Sequence, residues 1–189
     1  MAGVKKQPGD REEAPGGLAL VQSFVNSVNV EFGPDEFATA DGLGEWLGRN
    51  GFASANPDDL DRQDAVALRE SLRALLRENN GGKPDPEAHR TFEHIARDCP
   101  LVVKFTEDSG PGLAPAQSDV RGALGIVLAS VVGAVTDGSW QRLKACQEHR
   151  CEWAFYDRSR NRASRWCSMA VCGTRAKMRV YRQAKREQG

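Results

Sequence analysis

The sequence has no long apolar run. Its most apolar stretch, GALGIVLASVVGAV from Gly122 to Val135, is shorter than the ~18 residues a membrane span needs. Its glycine and alanine suit a helix buried in a protein core instead. No apolar segment follows the first lysines in MAGVKKQPGDREEAPGG, so no secretory signal is expected and residues 1–16 read as a disordered arm. The expected compartment is then the cytoplasm, which is reducing. There is no glycine-rich phosphate loop, no nucleophile elbow and no dinucleotide fingerprint. His89 and His94 stand five apart on an expected helix and do not share a face well. With no paired acid and base at workable spacing, the chain is expected not to be an enzyme. A site around Asn26 is the least favoured alternative, and a deep polar pocket there would revive it.

Net charge is also missing, since 26 Lys+Arg balance 26 Asp+Glu. The balance hides a split. From Gln141 onward there are 13 basic and 4 acidic residues; the 140 residues before it hold 13 basic and 22 acidic. A basic tail module that meets polyanions, on an acidic body that does not, is one explanation. Mutual neutralisation of the two halves is the other.

What is present is mostly helical pattern. Leu18 to Phe32 has apolar residues at helical spacing, with Leu18, Val21, Val25 and Val28 in one stripe. Leu43, Trp46 and Leu47 mark a short helix in a turn-rich stretch. The clearest helix is capped by Asn56 or Asp58, uses Leu60, Leu68, Leu72, Leu75 and Leu76 as its apolar face, and stops at Asn79-Asn80-Gly81-Gly82. Phe92, Ile95 and Ala96 mark another helix. LVVKF, from Leu101 to Phe105, reads as a short strand and DSGPGLAPAQ as a loop. A helix from about Gln117 to Val135 follows, and TDGSW ends it. The expected fold is mainly α with minor β: a helical N-terminal domain over 17–138, then a small C-terminal module over 139–189. Cys99 has no cysteine neighbour and reads as a buried thiol.

The other four cysteines are spaced Cys146-x4-Cys151-x15-Cys167-x4-Cys172. Two short pairs separated by a longer span suit a tetrahedral zinc ion, and clustered cysteines in a reducing compartment favour metal over disulfide. The span is long enough for two short strands and a turn. His149 is an alternative fourth ligand. EWAFYD, from Glu152 to Asp157, alternates as a strand does, and Trp153, Phe155 and Trp166 offer a small core. One structural Zn2+ is therefore expected, with no open coordination position and no hydrolytic role.

Arginines surround the cluster. Arg158, Arg160, Arg162 and Arg165 fall in an expected turn between the pairs. After Cys172 a helix is expected, on which Arg175, Arg179, Arg182 and Arg186 follow at steps of four, three and four and line one face. Like charges at that spacing repel, and phosphate oxygens would repay the cost. One or two arginines could instead neutralise the net −2 charge of a zinc–tetrathiolate site. Arg160, Arg162, Arg165, Arg175, Lys177, Arg179, Arg182 and Arg186 are the candidate nucleic-acid contacts.

The segment CEWAFYDRSRNRASRWCSMAVCGTRAK resembles the CGNR-type zinc finger. The likeness covers Trp153, Phe155, Asp157, Ser159 to Arg162, Arg165 to Met169, Cys172, Gly173, Arg175 and Lys177. Thr174 stands where that family has Asn. The body is similar to the ABATE domain that precedes this finger in bacterial proteins: SFVNS at Ser23 to Ser27, Trp46-Leu47, and Leu68 to Leu76 carry the likeness, with Ser23 and Ser27 at positions usually Asp and Thr. The resemblance implies a stress-induced transcription regulator that binds DNA. Its body would sense a small-molecule ligand or form a homodimer. An adaptor that binds RNA or protein through the same arginines is the alternative.

Overall fold

The computed structural model describes residues 8–106 and 110–187. The fold is mainly α with minor β. Six helices and two small antiparallel hairpins run in the order α1 (Leu18–Val25), α2 (Ala40–Arg49), α3 (Asp59–Glu78), α4 (Pro86–Arg97), β1 (Leu101–Thr106), β2 (Gly110–Pro115), α5 (Val120–Thr136), β3 (Leu143–Ala145), β4 (Ala154–Tyr156) and α6 (Thr174–Glu187). Among the described residues, no helix is long and apolar enough to cross a membrane.

Helix starts follow local chemistry. Asp58 and Asp61 form a reciprocal capping box at α3, and Thr39, Asp85 and Asp119 cap α2, α4 and α5 with side-chain oxygens. The core packs α1, α3 and α5 together. Val21, Phe24, Leu68, Leu72, Leu76 and Leu124 are almost wholly buried, and Phe24, Phe37 and Trp46 meet with ring centroids 5.4–5.6 Å apart. Leu60, expected on the apolar face, is 67% exposed. Burial on α3 begins at Ala65, so its first turn projects past the core.

Other expectations also need correction. The first helix ends at Val25, not near Phe32. Asn26 leaves the helix to bond the backbone of Ala154, and the chain then turns back so that Val28 bridges Asp35. The expected loop DSGPGLAPAQ contains β2, paired in register from Leu101↔Pro115 to Thr106↔Gly110. Its glycines and prolines hid a strand that only the pairing with β1 creates. Residues 107–109, which include the first two of that loop, lie outside the described residues.

The region after residue 138 is built into this body. Leu143, Ala145, Ala154 and Tyr156 belong to the main apolar cluster with Leu68 and Leu124. Asn79 donates to the carbonyls of Trp140 and Leu143, and Asn80 to those of Ala145 and Arg165. Gln22 and Asn26 both donate to the Ala154 carbonyl, and Asn26 also accepts its N–H at 2.8 Å. Arg73, 1% exposed, ties the Glu152 carbonyl at 3.1 Å to the Val25 carbonyl at 2.7 Å. The segment expected as a disordered arm divides. Residues 1–7 lie outside the described residues, whereas Ala14 is buried and donates its N–H to Gln22 at 2.7 Å.

Candidate metal centre and basic helix

The β3–β4 hairpin delivers the first cysteine pair. Cys146 follows β3 directly, its N–H bonded to the Trp153 carbonyl, and a tight turn in which Cys151 N–H meets the Glu148 carbonyl at 2.8 Å brings the second thiol back. The x15 span holds β4 alone rather than two strands, because the partner strand β3 precedes Cys146. Cys167 comes after the arginine-rich loop. Ser168 then caps a single π turn, Met169–Gly173, that carries Cys172 and leads straight into α6.

All four sulfurs lie within 4.8 Å of one another, with Cys151–Cys167 at 3.5 Å and Cys167–Cys172 at 3.7 Å. Four sulfurs at ~2.3 Å around a tetrahedral zinc stand ~3.8 Å apart, so the cluster has the dimensions of such a site. Its electrostatics agree. Hydrogen bonds from the Cys151 and Cys167 thiols pull Cys146 well below the usual thiol range. Bonding to Cys146 and Cys151 drives Cys167 upward, and burial together with the neighbouring charge pushes Cys172 upward as well. Alone, the cluster favours one thiolate; a dication is what stabilises four. The four cysteines are positioned to coordinate one structural Zn2+. His149 is not among them: it is exposed, with Nδ1 3.1 Å from the Glu148 carboxylate.

Trp153, Phe155 and Trp166 pack around the cysteines. The loop from Arg158 to Arg165 is pinned beneath by a buried ion pair. Lys144 Nζ lies 2.8 Å from Asp157 Oδ2 and also donates to the carbonyl of Arg162 at 2.5 Å. Burial would raise Asp157, but hydrogen bonds from Lys144, Ser159 and Ser164 outweigh it and hold the carboxyl well below its usual range.

The structure brings Arg175, Arg179, Arg182 and Arg186 to one side of α6, where they line an open cleft of about 730 Å3 with Glu31, Glu148 and Arg150. Two of them have acidic partners. Arg175 Nη1 contacts both Glu31 oxygens at 2.7 Å, and Arg179 grips the buried Glu148 carboxylate with two bonds of 3.1 Å. Lys177 is exposed on α6 outside that cleft. Arg160 and Arg165 have exposed side chains in the loop, and Arg162 lines a separate pocket with Glu78, Asn79 and Lys144. No residue of α6 is buried.

Sequence reasoning missed Glu31, Glu148, Lys144 and Arg11 as neighbours of these groups. Acidic partners 31 to 144 residues away leave no periodic signal. Asn79-Asn80 was visible only as a helix stop, yet its side chains join the two halves.

A family model described as "Putative stress-induced transcription regulator" (ABATE) matches residues 18–138. The chain belongs to the ABATE family. The CGNR zinc finger model matches residues 142–185, so the cysteine cluster and all but the last two residues of α6 fall within a zinc finger of known type attached to the ABATE body. Both resemblances noted in the sequence are thereby found again. No curated protein matches the chain. Together the two matches and the cluster make this a zinc-binding member of a regulator family.

Proposed function

We propose that this chain is a transcription regulator that binds duplex DNA through α6, with zinc holding that helix against the body. The observation that carries the proposal is the state of α6. It spans 14 residues, has six basic residues and one acidic residue, and buries none of them. An isolated helix of that length is marginal in water, and its like charges at steps of three and four weaken it further. Phosphates along one face would offset both costs.

Arg182 and Arg186 have no ion-pair partner among the described residues and form the outer part of the cleft. They would make first contact. Arg175 and Arg179 can add contacts only by leaving Glu31 and Glu148. The zinc site is structural in this reading. In this reading neither candidate site does chemistry: four cysteines leave no open coordination position, and the Asn26 amide bonds the backbone of Ala154. The dimer and ligand-sensing roles belong to the ABATE body.

A second reading has a specific observation behind it. Val180 and Tyr181 are 68% and 61% exposed between the arginines. That mixture of apolar and basic groups also fits an acidic amphipathic protein segment. The separating experiment is binding of the zinc-loaded full chain to a pool of random duplexes, with single-stranded RNA as control. Enrichment of duplex sequences that is lost in Arg182→Ala/Arg186→Ala supports the first reading. No duplex binding at low salt would rule it out.

A further inference from the structure

We infer that residues 8–14, outside both family matches, form a strap that retains the metal, with Arg11 as its positioning residue. Arg11 Nε donates to the carbonyl of Cys167, a metal ligand, at 2.8 Å, and Nη2 donates to the Trp166 carbonyl at 3.1 Å. The same guanidinium stacks 4.7 Å above the Phe155 ring in the small core around the sulfurs. One side chain therefore grips two consecutive carbonyls at the third cysteine and the aromatic floor beneath it.

The backbone of the strap is fitted to the same place. Gly9 has φ +73°, in the left-handed region, and a Cβ there would stand 3.2 Å from the Cys167 carbonyl oxygen and 3.3 Å from Ser168. The strap is fixed at its other end, where Ala14 N–H bonds to Gln22. Zinc leaves a closed tetrathiolate site only after a ligand swings away, which is a local opening. Cys167 and Ser168 are the segment the strap covers, so the strap must lift before that ligand departs. Arg11 also places a positive charge beside a site that carries a net −2 when zinc-loaded, and its planar fork suits two acceptors where an ammonium would reach one.

The test is zinc release from the loaded full chain to a chromogenic chelator, with far-ultraviolet circular dichroism recorded alongside. Arg11→Ala should release zinc about ten- to a hundredfold faster, as loss of charge-assisted bonds implies, with the helix signal kept. Arg11→Lys should fall between Arg11→Ala and the parent. Gly9→Ala, which leaves every charge in place, should also speed release. Glu45→Gln, an exposed carboxylate outside the strap whose ion pair with Arg49 is 3.9 Å long, should stay within twofold of the parent and serves as control. Release from Arg11→Ala within twofold of the parent would overturn the inference. Should Arg11→Ala not fold, parental release rates in both Gly9→Ala and Arg11→Lys would overturn it equally.

Discussion

Lys144 and Asp157 show how single residues hold the finger in place. Both side chains are buried, and between them they anchor the backbone of the arginine loop at Arg162 and Ser164. The folded state holds the Asp157 carboxyl below its usual range. Its contribution to stability is therefore fully present above about pH 4 and is lost as pH falls below that value toward the folded pKa. Asp157→Asn should cost about 3–5 kcal/mol at pH 7, because Lys144 stays buried without its counter-ion. The difference from the parent should shrink at pH 3. Urea unfolding at both pH values measures it, and an equal difference at both would remove the ion pair from the account. The four cysteines were legible because ligand spacing is local. Lys144 was not, since an ion pair across a hairpin depends on register, which two three-residue strands do not advertise.

At the scale of elements, the β3–β4 hairpin is divided between two loyalties. Its outer end carries Cys146 and Cys151, and its strands carry Leu143, Ala145, Ala154 and Tyr156 into the core of the body. Zinc removal should accordingly loosen the cysteine turns and α6 but leave the hairpin folded. Amide hydrogen exchange after chelation should speed up from Cys167 to Glu187, with Ala154 and Tyr156 still protected. Loss of protection at Ala154 would mean that the metal supports the core as well. Helices α2 to α5 could be read from caps and periodicity. The end of α1 could not, because the Asn26 side chain finds its partner 128 residues later.

Helix α6 allows a sharper expectation than its sequence did. Four arginines on one face look equivalent, but Arg175 is held by Glu31 and Arg182 is not. Arg175→Ala should change duplex affinity by less than about twofold, whereas Arg182→Ala should weaken it and flatten the salt slope by about one unit. In a Glu31→Gln background, Arg175→Ala should become costly. Equal losses for Arg175→Ala and Arg182→Ala in the parent would show that Glu31 does not restrain its arginine.

Over the whole molecule, the charge split is partly cancelled across the join. The basic C-terminal part meets body acids at Glu31–Arg175 and Glu12–Arg158, while Arg77 of the body pairs with Glu152. Mutual neutralisation thus accounts for part of the split, which composition alone could not apportion. The proposed function has zinc organise a phosphate-binding helix. Its most direct test is the salt dependence of duplex binding by the full chain, with zinc bound and with zinc chelated. The zinc-loaded protein should lose affinity with a log–log slope of about −2 or steeper, since each phosphate contact adds about −0.9 and Arg182 and Arg186 supply at least two. The chelated protein should bind far more weakly at every salt concentration. A slope near zero, or the same affinity and slope with and without zinc, would contradict the claim.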